Sequence, residues 1–257
     1  MASVTDVLEL PGRDSERFSA APFAVLPVGS VEFHGAHAPF GTDSTLATGF
    51  ARALAARRDC LVFPTVHFSF VPRLTTDHGP GVSVDPQVFL AYLTEVIGGI
   101  VRLGVSRLLV INGHSENQYA LRLAAESVTA AQPTASVLVC NWWRLAPAGL
   151  FDESDGHGHG GPLEVSTTAA FSPAGVTVPT DTTNDVPYEA PWWRHAAQVV
   201  GRGQAPLDFA GYHGRVSDID QEKGERIVSE VTAALSRLVD DWLERAGGEP
   251  AREARQP

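Results

Sequence analysis

The sequence predicts an α/β protein: a mostly parallel sheet flanked by helices on both faces. Three observations carry that expectation. Short apolar runs that read as buried strands alternate with longer segments of helical period. Gly and Pro punctuate the junctions between them. Clusters of polar residues fall just after the apolar runs, where open α/β sheets gather their ligands. Chains ordered in this way build parallel sheets through strand–helix–strand crossovers.

Phe23 to Val28 (FAVLPV) reads as the first strand. Asp43 to Arg58 follows as a helix, with Leu46, Phe50, Ala51 and Leu54 on one face and Asp43 at the start, where a carboxylate suits the open N–H groups. Cys60 to Pro64 is a second strand. Residues 66–84 are irregular, because Gly79, Pro80 and Gly81 break any long element. Pro86 to Leu103 is a helix with proline in its first turn, ended by Gly104. Arg107 to Ile111 is the third strand, Glu116 to Ala131 a helix, and Ala135 to Cys140 the fourth strand. Glu164 to Phe171 is one more short helix. Residues 172–211, with Trp192 and Trp193, give no clear period. The last element, Gln221 to Ala246, carries an apolar stripe of Ile227, Val231, Leu235, Leu238, Trp242 and Leu243. No repeat or linker divides the chain, so a single domain over residues 1–257 is expected, with 1–20 and 247–257 as peripheral tails.

The bulk properties exclude several classes. A net charge of −11 argues against a general nucleic-acid or anionic-membrane binder. An anionic substrate stays open, because a bound metal dominates its local field. No stretch is apolar for long enough to span a bilayer. The N-terminus lacks the basic and apolar segments of a signal peptide. Cys60 and Cys140 each sit inside an apolar run and read as buried thiols, which fits a cytoplasmic protein.

Three polar clusters hold the candidate chemistry. In the first, Glu32 and His34 are two apart, so an extended backbone points both to one side, and Asp43 returns at a helix start. Carboxylate and imidazole together suit zinc, manganese or iron. The second, Asn112 to Asn117, follows a strand directly and opens a helix, with His114 and Glu116 at the top of the strand. The third, Gly156 to Glu164, offers His157, His159 and Glu164 among glycines. Each cluster alone also reads as plain structure: a solvated turn with a capping Asp, a capped helix start, or a mobile Gly–His loop. Together they supply more donors than one ion needs, which suggests a two-ion site.

These motifs resemble the creatininase family. PVGSVEFHGAHAPFGTD is similar to its opening motif, with Glu32, His34 and Asp43 in the liganding positions. NGHSEN resembles its Asn-Gly-His motif, and HGGPLEVS its His-x-Gly-x-x-Glu-x-Ser stretch, with His159 and Glu164 matching. HGPGVSVDP and QEKGERI resemble two further segments. The resemblance runs over roughly 25–239 in one order, and ordered motifs confirm one another. It implies a three-layer sandwich, two divalent ions (zinc or manganese, with iron as an alternative) and a homo-oligomer, often a hexamer. The implied ligands are Glu32, His34, Asp43 as the bridge, His114 and Glu116. His159 is the implied proton carrier, with Glu164 beside it as a catalytic group, a further ligand or a group that supports the ligands. His78, Ser115, Trp142 and Trp143 are the implied substrate-binding residues. One departure stands out: Asp155–Gly156 occupies the place where family members acting on creatinine carry a second tryptophan.

The expected activity is metal-assisted hydrolysis of a C–N bond in a small cyclic amide or amidine, run in either direction. Removal of a formyl group, or of a short peptide end as in mycofactocin maturation, is the alternative within the family. Glu116 favours the first, because those relatives usually carry Gly there. A non-enzymatic metal- or ligand-binding module is the alternative outside it.

Overall fold

The computed structural model describes residues 5–151, 158–178 and 209–247. In chain order the regular elements are β1 (Thr5–Asp6), α1 (Arg17–Ala20), β2 (Ala24–Val28), α2 (Thr42–Ala55), β3 (Leu61–Val62) and α3 (Arg73–Thr76). They continue with α4 (Pro86–Arg102), β4 (Arg107–Asn112), α5 (Asn117–Ala131), β5 (Ser136–Asn141), α6 (Pro162–Phe171) and α7 (Gln221–Gly247). The five strands form one sheet in the order β1-β3-β2-β4-β5. Every pairing is parallel.

The four expected strands and the long helices are present. The edge strand β1 is an addition: it lies within the segment read as a tail, and two residues leave no periodic signal. The irregular stretch 66–84 holds the single helical turn α3 and two isolated bridges, Val28 to Val66 and Ser69 to Ser83. His157, Trp192 and Trp193 lie outside the described residues.

Helices cover both faces. On one, α2, α6 and α7 pack Phe50, Leu54, Leu163, Ile227, Val231 and Leu235 against Val25, Leu109 and Ile111 of the sheet. On the other, α4 and α5 pack Phe89, Leu93, Ile97, Leu121 and Ala124 against Leu26, Leu108 and Val110. Alternate strand residues thus serve opposite layers, which is why β2 is buried at all five positions. Burying a side chain such as Phe50 or Leu93 contributes roughly 1.5–3 kcal/mol. Helix α4 starts as the sequence indicates: Asp85 caps it, accepting from the amides of Gln87 at 2.8 Å and Val88 at 3.2 Å, and Pro86 follows. Helix α7 crosses α6 closely at Gly224, where any Cβ would overlap the Ser166 carbonyl. Cys60 and Cys140 are free, buried thiols, each pushed up to about 12 by burial. Among the described residues no helix is long and apolar enough to cross a membrane.

The strand order places the site. From β2 the chain steps outward to β3, then returns to the other side of β2 for β4. That reversal opens a crevice at the carboxyl ends of β2 and β4. The first two polar clusters leave those strand ends.

Candidate metal centre

Close packing at the strand ends brings the donors together. Gly113 follows β4 and lies against the start of α2, so near that a Cβ there would overlap the Asp43 carbonyl oxygen. Its amide donates to Val28 O at 2.8 Å, which fastens the turn to the end of β2. Asp43, in the first turn of α2, and His114, next to Gly113, therefore meet at one point. Glu32, His34, Asp43 and His114 are all buried.

Their donor atoms form interlocking groups. Glu32, Asp43 and His114 each place a ligand atom within 4.8 Å of the others, and so do His34, Asp43 and Glu164. A third group joins Glu32, His34 and His159. Asp43 is common to the first two. Its Oδ2 lies 3.0 Å from His114 Nδ1, and its Oδ1 3.1 Å from His34 Nε2. Glu32 Oε1 is 2.6 Å from His114 Nδ1, and Glu164 Oε2 is 3.8 Å from His34 Nε2.

The three histidines share one arrangement. His34 Nδ1 lies 3.1 Å from Glu32 O, His114 Nε2 3.1 Å from Phe70 O, and His159 Nε2 2.7 Å from Phe33 O. A carbonyl only accepts, so these nitrogens carry the hydrogens. In each neutral ring the lone pair then resides on the other nitrogen: Nε2 of His34 and Nδ1 of His114 and His159. For His34 and His114 that nitrogen faces carboxylate. Metal-binding histidines are oriented in this manner by the bond their outer N–H makes. Ser30 Oγ supports the carboxylates, 2.6 Å from Asp43 Oδ2 and 3.0 Å from Glu32 Oε1. Among the described residues, Glu32 Oε2 is buried with no hydrogen-bond partner. A buried carboxylate oxygen without a donor fits a cation, and the O/N donor set fits zinc or manganese.

The charges agree. Burial alone favours neutral forms throughout. For Asp43, the charges and hydrogen bonds of His34 and His114 outweigh burial and hold the carboxyl well below its usual range. For Glu32, His114 and His159 lower it likewise. Burial opposes a charged His34, yet Asp43, Glu32 and Glu164 push it up to about 10. His114 is raised well above its ordinary value by Glu32 and Asp43, again against burial. His159 differs: burial, then the His34 charge, bring it down to about 4. Burial, followed by Asp43, raises Glu164 to about 7.

A pH dependence follows. Ligands must lose their protons to bind a metal. In the metal-free chain His34 is pushed up to about 10, His114 well above its ordinary value and Glu164 up to about 7, so metal uptake should release protons from these groups. Apparent affinity should rise with pH until His34 is deprotonated near 10, and weaken as pH falls. Calorimetric titration of zinc in two buffers of different ionisation enthalpy checks this. Uptake without proton release would show that the histidines are already neutral.

Not every expected residue joins the centre. Glu116, expected as a ligand, enters none of the three donor groups. The reason is the turn. Asn117 N–H bonds to His114 O and Gln118 N–H to Ser115 O, so His114 to Glu116 form a turn into α5 and lack the extended backbone that would point side chains two apart to one side. Burial raises the Glu116 carboxyl, and it feels His114 and Glu32 only electrostatically. Glu164, expected as a catalytic group or a further ligand, stands among the donors, its Oε2 also accepting from Gly160 N–H at 2.8 Å. Ser30 and His37 carry no metal-ligand spacing signal, and the sequence reading missed them.

A cavity of about 70 Å³ opens on this centre, lined by Asp43, His114, Ser115, Trp143, His159, Leu163 and Glu164. Trp143 and Ser115 are at its wall. Trp142, expected at the substrate, is not. It is fully buried and stacks on Phe50 with ring centroids 5.2 Å apart. The two tryptophans sit in a 3₁₀ turn, where successive side chains diverge by about 120°. His78 does not line this cavity either. It is exposed, and its ring meets Phe209 edge-on at 4.9 Å.

Comparisons with known proteins bear on the family and the fold. The family model described as "Creatininase: Creatinine amidohydrolase" matches residues 13–239. A 3-dehydro-scyllo-inosose hydrolase of Thermotoga maritima is 25% identical, over 93% of this chain and 84% of the relative. A creatinine amidohydrolase of Pseudomonas putida is 32% identical over 46% of this chain and 47% of its own. A mycofactocin precursor peptide peptidase of Mycobacterium tuberculosis is 25% identical over 90% and 89%. The crystal structure of a creatinine amidohydrolase superposes with a TM-score of 0.81 at 22% identity, covering 94% of this chain and 98% of that one. At that identity the likeness speaks for the fold.

Proposed function

The chain belongs to the creatininase family of hydrolases, and from that premise we propose that it is a two-metal hydrolase that opens a C–N bond in a small cyclic amide or amidine. One observation carries the reading. His34 and His114, each tied by its outer N–H to a backbone carbonyl, turn their other nitrogen toward the Asp43 carboxylate they share, beside a cavity of about 70 Å³. So small a chamber suits the reacting end of a compact molecule. Structures of family relatives are described as manganese and as zinc forms, which supports either metal here.

Glu32, Asp43 and His114 would hold one ion, and His34, Asp43 and Glu164 the other. Such ions, when bound, polarise a carbonyl and lower the pKa of water. The chain's own residues do the rest. Ser30 keeps the carboxylates of Glu32 and Asp43 aimed inward. Burial and the His34 charge bring His159 down to about 4, which favours the neutral ring, and its Nε2–H is spent on Phe33 O. Its Nδ1 is therefore free to take a proton and return it to the leaving nitrogen, a role that contributes about 10²–10⁴-fold. Trp143 and Leu163 give the cavity an apolar side that restricts water.

The division of ligands is testable. Glu164→Gln should reduce bound metal from about two ions to about one, because it removes a donor from the group with His34. Glu116→Gln should weaken affinity by only about tenfold, the lower end for a residue that acts through its neighbours. Elemental analysis after dialysis reads both. Loss of an ion in Glu116→Gln with none in Glu164→Gln would exchange their roles.

Substrate class is tested by presenting the zinc- or manganese-loaded protein with lactams, cyclic ureas, creatinine, formamides, short peptides and inososes. The proposal expects turnover of a cyclic amide or amidine, abolished by chelator. The relative named as a peptidase, similar along 90% of this chain, supports a second reading in which a peptide end is cut. Turnover of peptides or inososes alone would replace the first reading. Stoichiometric metal with no hydrolysis of any of them would favour a binding module.

A further inference from the structure

His37 is a buried polar side chain that the chemistry above does not use. It lies in Gly35-Ala36-His37-Ala38-Pro39, three residues beyond His34. Gly35 adopts φ +87°, a conformation that glycine favours, and its missing side chain leaves room for the imidazole. His37 is 3% exposed. Tyr212 meets the ring edge-on at 4.7 Å.

His37 Nε2 lies 2.9 Å from the carbonyl oxygen of Gly160, 123 positions away. The carbonyl only accepts, so Nε2 carries the hydrogen. Gly160 is the hinge of the third cluster. Its φ is +63°, and a Cβ there would come within 2.7 Å of His34 O. Its N–H donates to Glu164 Oε2 at 2.8 Å. The preceding carbonyl, of His159, accepts from His213 N–H at 2.7 Å. The turn from His159 to Gly161 is therefore pinned at consecutive groups, and the side chains of His37 and Glu164 supply two of those pins.

We propose that His37 is a positioning residue for the centre: its Nε2–H fixes the Gly160 peptide, and through it the Glu164 carboxylate and the His159 ring. The inference rests on the two-metal reading for its consequence, but not for the clamp itself. Without the clamp, the Gly160 carbonyl is left buried and unpaired, and the turn rotates to find another donor. The Gly160 N–H then turns off Glu164, and the donor group of His34, Asp43 and Glu164 opens.

The test uses the full chain in two variants. His37→Phe keeps a ring against Tyr212 and removes the donor. His37→Gln keeps an N–H at similar reach. Hydrogen exchange read by mass spectrometry on fragments covering 158–171 and 107–112 reports the clamp. Metal content after dialysis against zinc chloride reports its consequence. In His37→Phe, exchange across 158–165 should accelerate at least tenfold, while the β4 fragment stays as in wild type. Bound zinc should fall by about one ion per chain. His37→Gln should restore both. Unchanged exchange in 158–165, or an equal rise in β4, overturns the proposal, the second because His37 would then be general packing. Local acceleration with full zinc retention also overturns it. If wild type binds no zinc, the two-metal reading fails instead, and the exchange arm alone decides whether the clamp exists.

Discussion

Asp43→Asn should strip the protein of both bound ions and lower hydrolysis by about 10³-fold or more, since metal polarisation is worth several kcal/mol and each 1.4 kcal/mol is tenfold. Asp43 is the residue common to the two principal donor groups. It is fully buried, and His34, His114 and Ser30 all address its carboxylate. The amide keeps the volume and the Ser30 contact, so the chain should still fold. His34 and His114 would each lose one of the charges that raise them, while Glu32 still raises both, so burial would count for more in each. Thermal melting with elemental analysis separates the effects. One ion retained at full occupancy would show that Asp43 is not shared.

Gly113→Ala should be the most disruptive small substitution near the centre. An added Cβ overlaps the Asp43 carbonyl oxygen, which is backbone and has no rotamer to yield. The turn after β4 must move away from α2. Overpacking of this kind costs about 3 kcal/mol, so the melting temperature should fall by roughly 6–12 °C. His114 would move with the turn, and the group of Glu32, Asp43 and His114 would loosen. Metal affinity should therefore drop even below the melting range. A variant that melts and binds zinc like wild type would mean that the close approach is not needed.

What the sequence shows here is set by distance along the chain and by which groups carry the bond. Glu32, His34, Asp43 and His114 were legible because ligand types recur at short spacing beside strand ends. The parallel sheet was legible from its apolar runs. Glu116 stands outside the three donor groups because it caps α5 instead of continuing the strand, and no periodicity shows where a helix begins. Trp142 and Trp143 are neighbours in sequence, yet one stacks on Phe50 and the other lines the cavity. Only the packed 3₁₀ turn distinguishes them. The carbonyls of Glu32, Phe33 and Phe70, which fix the three imidazoles, leave no trace in sequence, since every residue has one. The bond from His37 to Gly160 spans 123 positions and could not be read from local pattern.

The account stands on two ions sharing Asp43, and counting them tests it most directly. Full-length protein, prepared without chelator and equilibrated with zinc chloride, should hold about two ions per chain by elemental analysis, because its donors exceed the four of a closed single site. A stoichiometry of one, unchanged at higher zinc, would contradict a shared carboxylate between two ions, and none at all would contradict the metal centre.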